Sequence, residues 1–244
     1  PQAVGDTLNP RINDGNVVIE ELGMSDDEIR SIRKIYMIAC GSAYHTCVSA
    51  KYVFEGLARI PVEVDLASEF RYRHPIYEPD TLAIIVSQSG ETADSLAALR
   101  EAKEHGIKVL GIVNVVGSSI AREADNVMYT WAGPEIAVAT TKAYSTQLIA
   151  HYLLALKFAK ARGEIDDAQM AEMVEDLKKL PGQIEMLLEN KKRIQKFANR
   201  YLATEHVFFI GRGLDYAISL EGSLKLKEIS YIHAEAYAAG ELKH

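Results

Sequence analysis

Hydrophobic and polar positions change their spacing several times along the chain, and each change marks an element. Up to residue 33 the pattern is polar and broken. Asn9-Pro10, Asp14-Gly15 and Ser25-Asp26-Asp27-Glu28 are turn and N-cap signals, which predict a leading segment or linker with short helical pieces. Lys34-Ile35-Tyr36-Met37-Ile38-Ala39-Cys40 is then a short, nearly continuous apolar run, as expected of a parallel strand covered by helices on both faces. The period turns helical from Tyr44 to Leu57. Further strands are predicted at Pro61–Asp65, Thr81–Ser87, Lys108–Asn114 and Asn126–Thr130, with helices at Thr92–Glu104, Ser118–Glu123 and from about Thr141 to Arg162. This alternation predicts an α/β fold with a parallel, helix-flanked sheet and right-handed crossovers. Ligands in such sheets bind beyond the carboxyl ends of the strands, where Gly41-Ser42 and Ser87 to Thr92 lie.

Residues 164–203 read as helical, with an apolar stripe through Met173, Leu177, Leu180, Ile184 and Leu187-Leu188 that is expected to break at Pro181-Gly182. The strand texture returns at His206–Ile210, followed by Gly211-Arg212-Gly213. One constant offset aligns this second strand–turn–helix with the first: Gly41 falls on Gly213, Tyr44 on Tyr216, Ile60 on Ile232, Glu63 on Glu235, Ala67 on Ala239 and Glu69 on Glu241. Matches in one register predict a duplication. The expected organisation is a leading segment (1–33), a first complete copy (34–163), and connecting helices with the start of a truncated second copy (164–244). The start at Pro1 and the stop at His244 both read as cuts within a longer protein.

Composition narrows the function. The chain has 244 residues, 48% hydrophobic and 25% charged, as in a globular protein, and a net charge of −7 argues against a nucleic-acid partner. No apolar run is long enough to span a membrane. The two cysteines, Cys40 and Cys47, form neither a disulfide framework nor a metal-ligand spacing, which suits a reducing cytoplasm and predicts no metal and no cofactor.

The chemistry concentrates at Ser87-Gln88-Ser89-Gly90-Glu91-Thr92. Three hydroxyls and a glycine join a buried strand to a helix whose first N–H groups are unpaired and carry a partial positive charge. Such a junction can hold a phosphate; alternatively it is an ordinary capped helix start. It is not a Walker A loop, having no G-K-[ST], and Gly211-Arg212-Gly213 is not a dinucleotide fingerprint. Ser42 could meet a sugar hydroxyl or cap its helix, and Val138-Ala139-Thr140-Thr141-Lys142 could wall a pocket or only start the long helix. Lys225 and Glu228 share a helix face, either as a surface ion pair or as a base and its electrostatic partner. Cys40 and Cys47 read as small core residues, and His45 as a surface or supporting residue.

Three segments, Ile38-Ala39-Cys40-Gly41-Ser42-Ala43-Tyr44-His45, Ser87 to Ser95, and Lys225 to Glu235, together resemble the sugar-isomerase (SIS) domains of glutamine–fructose-6-phosphate aminotransferases, the glucosamine-6-phosphate synthase family. The resemblance runs from about Ile35 almost to the end, where Glu241-Leu242-Lys243-His244 matches the start of a further motif. It implies two SIS subdomains, a homodimer, and fructose 6-phosphate, glucose 6-phosphate and glucosamine 6-phosphate as ligands. It assigns sugar-phosphate contacts to Ser42, Ala43, Ser87, Gln88, Ser89 and Thr92, with Val138 and Ala139 close by. Glu228 would be the isomerisation base, Lys225 its neighbour, and His244 would assist ring opening from a neighbouring subunit. Many members carry Ser where this chain has Ala43. The family's glutaminase domain and its C-terminal imine-forming lysine lie outside this sequence, so the segment alone is expected to bind but hardly turn over. Rival readings are another SIS phosphosugar isomerase or deglycase, and a non-catalytic sugar-phosphate sensor.

Overall fold

The fold is a computed structural model and describes residues 1–243. The leading segment holds α1 (Gln2–Leu8), the two-residue strands β1 (Ile12–Asn13) and β2 (Asn16–Val17), and α2 (Asp26–Ser31). Ser25 caps α2 in a reciprocal capping box with Glu28. This segment is built into the core: Val4, Leu8, Val17, Ile19, Leu22 and Ile29 are buried. Buried Arg11 fastens it to the sheet, donating from Nη1 to the Thr7 carbonyl (2.7 Å) and from Nη2 to the Tyr129 carbonyl (2.5 Å).

The first copy runs β3 (Lys34–Ala39), α3 (Gly41–Val53) with a π-turn at Phe54–Ala58, β4 (Val62–Leu66), α4 (Ala67–Phe70), β5 (Thr81–Ser87), α5 (Ala93–Glu104), β6 (Lys108–Val113), α6 (Ser119–Glu123), β7 (Asn126–Tyr129) and α7 (Lys142–Arg162). Its five strands are all parallel in the order β4-β3-β5-β6-β7. Successive side chains point to opposite faces, so the continuous apolar runs supply two cores at once. Ile35, Met37, Leu82, Ile84, Val86 and Ile112 join one core with α3 and α7, while Tyr36, Ile38, Ala83, Ile85, Val109 and Val113 join the other with α4 and α5. The order reverses between β3 and β5: β4 lies on one side of β3 and β5 on the other, with Ala39 beside Val86.

The connecting helices are α8 (Asp167–Glu189) and α9 (Lys191–Ala198), followed by β8 (His206–Gly211), α10 (Leu214–Ser230) and β9 (His233–Ala238). The expected break at Pro181-Gly182 does not occur. Pro181 lies within α8, sacrificing one helical hydrogen bond. Its ring packs over α1, where a Cβ added at Gly5 would sit 4.0 Å from Pro181 Cγ. The duplication appears in the backbone. β8 pairs with β9 in parallel as β3 pairs with β4, and the pairing Ile35–Val62 recurs at the matched positions as Val207–Ala234. Matched Gly41 and Gly213 both adopt positive φ, +57° and +54°, a conformation that favours glycine.

His151, in the middle of α7, is fully buried and its Nδ1 has no partner among the described residues. Burial holds its imidazole down at about 3. The neutral ring is therefore favoured in the folded state. That stability is complete above the unfolded value, about 6.5, and is lost as pH falls toward 3, at up to about 1.4 kcal/mol per pH unit. Urea unfolding at pH 7 and pH 5 should show His151→Leu reducing the acid-induced loss of stability by roughly 2 kcal/mol; an unchanged pH dependence would assign the acid sensitivity elsewhere.

Candidate functional site

The reversal of strand order opens a crevice at the carboxyl ends of β3 and β5, and the chain leaves those ends toward opposite faces, into α3 and α5. Two helix N-termini thus converge on one place. Neither is closed by its own side chains: Cys40 precedes α3 and Thr92 precedes α5, both without a side-chain capping bond. The ordinary cap expected as an alternative at Thr92 is absent. Its Oγ1 instead meets Ser87 Oγ at 3.0 Å.

The β5–α5 loop is organised around that contact. Ser87, buried at the strand end, accepts from the Gly90 N–H at 3.0 Å, and Ser89 Oγ accepts from the Glu91 N–H at 3.2 Å. Glu91 Oε1 accepts from the Ser119 N–H at 2.7 Å, and the Ser119 side chain together with that N–H holds its carboxyl below the usual range. Gly90 has φ +66°, and a Cβ there would come within 2.0 Å of Ser118 Oγ, so only glycine lets the loop lie this close to α6. The Oε1 of Gln88 is buried without a partner among the described residues.

A cavity of about 300 Å³ lies at this junction. Its lining includes Ser42, Ala43, Ser87, Gln88, Ser89, Thr92 and Val138 from the first copy, and Lys225 and Glu228 from α10. Lys225 Nζ donates to Glu228 Oε2 at 2.5 Å. α10 packs on α3, which carries this pair over the ends of β3 and β5. Val138 contributes from the rim, being 94% exposed. Ala139, expected beside it, is not among the lining residues. His244 lies outside the described residues.

Cys40, Thr140, Ala143 and Gln147 also line the cavity. Gln147, on the first turns of α7, is only 2% exposed. Gln147 shares α7 with other buried polar residues, Thr146 and His151, so only the tertiary arrangement singles it out. The loop before α7 is tied down by Glu135, which accepts from Thr140 Oγ1 at 2.9 Å. Burial pushes the Glu135 carboxyl up, but this bond and neighbouring N–H groups outweigh it and leave it below the usual range. Cys47 is buried away from the cavity, its thiol pushed up to about 12 by burial, and is inert. Among the described residues no cluster of three or more His, Cys, Asp or Glu could hold a metal ion, and no helix is long and apolar enough to cross a membrane.

The description "SIS domain" matches residues 28–157 and 201–244. The chain is 59% identical over 245 aligned residues to the isomerizing glutamine–fructose-6-phosphate aminotransferase of Caldanaerobacter subterraneus, and 56% identical to that of Clostridium tetani. All of this chain is aligned in each case, but it spans only 40% of the length of those relatives. The C-terminal domain of glucosamine-fructose-6-phosphate aminotransferase from Francisella tularensis superposes with a TM-score of 0.96 at 41% identity, covering 100% of this chain and 68% of that one. On a matching sequence profile, a matching structure and a crevice at the switch point of its sheet, the chain belongs to the SIS domain family, as a segment of the isomerase-domain type found in glutamine–fructose-6-phosphate aminotransferases.

Proposed function

We propose that the crevice binds the phosphate of fructose 6-phosphate and that α10 supplies the base for ketose–aldose isomerisation of the sugar. The observation that supports this is one cavity lined both by the hydroxyl-rich β5–α5 loop and by the Lys225–Glu228 pair. The phosphate would take the α5 N-terminus, where unpaired N–H groups and the Ser87, Ser89 and Thr92 hydroxyls converge. The helix-end charge contributes about 0.3–1 kcal/mol when exposed and up to about 2 when partly buried. Charge-assisted hydrogen bonds add to it. Ser42 and Gln88 would contact the sugar. Ala43 offers only a methyl group there.

Isomerisation needs one proton moved between neighbouring carbons. Glu228 would take the proton from C1 of the open-chain ketose, giving an enediol-type intermediate, and return it to C2. The C1 hydroxyl proton leaves as the C1 carbonyl forms, and the former C2 carbonyl oxygen gains one, so atoms and charge balance. Lys225 would hold the Glu228 carboxylate toward the sugar. In the whole protein we place this step in glucosamine 6-phosphate synthesis from fructose 6-phosphate and glutamine. A glutaminase domain, a C-terminal imine-forming lysine and a homodimeric arrangement would lie beyond this segment, and His244 would assist ring opening.

A sugar-phosphate sensor would need the loop but not the carboxylate facing it, and the Lys225–Glu228 pair in the same cavity favours the enzyme. Calorimetry should show millimolar or tighter binding of fructose 6-phosphate and glucose 6-phosphate. Gly90→Ala should abolish that binding, with a stability loss of about 1 kcal/mol or more from the strained loop; unaltered affinity would remove the loop from the site. In the whole protein, Glu228→Gln should retain ligand binding and lower isomerisation by about 100-fold or more. Undiminished turnover would exclude Glu228 as the base.

A further inference from the structure

The Lys225–Glu228 pair is the visible end of a longer chain of contacts that begins on the other copy. His45, on α3, meets Glu221 Oε2 through Nδ1 at 2.8 Å. Glu221, on α10, has its other carboxylate oxygen 3.5 Å from Lys225 Nζ. Lys225 in turn reaches Glu228 Oε2 at 2.5 Å. Glu221, Lys225 and Glu228 lie on successive turns of one helix face. Glu221 is only 6% exposed, and a buried carboxylate is costly unless paired and hydrogen-bonded. Among the described residues His45 provides its one side-chain hydrogen bond, since the approach of Lys225 is an ion-pair distance and Glu221 Oε1 has no hydrogen-bond partner. A carboxylate only accepts, so Nδ1 of His45 is the donor.

We propose that His45 is a positioning residue for isomerisation: by holding Glu221 it fixes where Lys225 places Glu228. The inference rests on the reading of Glu228 as the base. The two halves of the cavity belong to different copies. Ser42 and Ala43 ride on α3 and the Lys225–Glu228 pair rides on α10. His45–Glu221 is a side-chain bond across that junction, three residues beyond Ser42 on the same helix. It therefore couples the placement of the base to the wall that holds the sugar. It also settles a competition. With His45 in place, one oxygen of Glu221 is occupied and Lys225 lies nearer Glu228. Without the donor, the buried Glu221 carboxylate is left with Lys225 as its only partner and draws the ammonium away from Glu228.

The test uses the whole protein and measures interconversion of fructose 6-phosphate and glucose 6-phosphate, with calorimetry on the same samples. His45→Ala should lower kcat by about 10- to 100-fold, while KM and the calorimetric affinity for fructose 6-phosphate stay within about three-fold of wild type, because the phosphate loop is untouched. His45→Asn, whose side-chain N–H can replace the Nδ1 donor, should restore most of kcat. A purely structural loss would affect binding and turnover together and would not depend on that donor. Should His45→Ala fail to fold, His45→Phe fills the space without a donor and takes its place. The inference is overturned if the donorless variant keeps wild-type kcat, if KM rises with kcat unchanged, or if Asn rescues nothing. Failure of the wild-type protein to bind fructose 6-phosphate would instead overturn the proposed function itself.

Discussion

The ends of β3 and β5 lie side by side, yet the chain departs from them in opposite directions, and the helix starts that result have backbone N–H groups with no helical partner. In most loops a Ser or Thr would satisfy them. Here Thr92 is turned toward Ser87, and the N-cap of α3 is a cysteine that forms no cap. The unmet donors and the hydroxyls are aimed at one crevice, and an anion is the natural complement. That arrangement depends on the parallel sheet: both strands must be buried on both faces, so that helices cover each side and the connections must cross over.

The hydroxyl-rich β5–α5 loop is only one wall of the cavity. The Lys225–Glu228 pair on another wall comes from α10, in the second copy, whose first strand and helix repeat the pairing register of the first copy. The duplicated unit has diverged in use. In the first copy the strand–helix junction lines the cavity; in the second, the far end of the helix is laid over it. Contacts across the α3–α10 junction therefore join the two walls of one cavity.

Much of this was legible in the sequence. The run Thr81–Ser87 is apolar at every position but its ends, and the observed β5 has those limits with every residue buried. Glycine matches at 41 and 213 foretold a repeat because a positive φ leaves few alternatives to glycine. Other features were hidden because they depend on distance in space. Pro181 signals a break, but packing against α1 overrides a local cost of about 3 kcal/mol. Gln147 is one of several polar residues in α7, and nothing in the local pattern singles it out. His45 and Glu221 lie far apart in sequence, and nothing in the local pattern links them. Ala139 shows the converse: its neighbour Val138 reaches the cavity rim while Ala139 does not.

The central claim, that the β5–α5 junction grips a phosphoryl group, is tested most directly by following backbone amide resonances during titration. With fructose 6-phosphate the largest shifts should fall on the amides from Gln88 to Asp94, and unphosphorylated fructose should leave them unmoved. Equal responses to the two sugars, or perturbations confined to another part of the molecule, would contradict it.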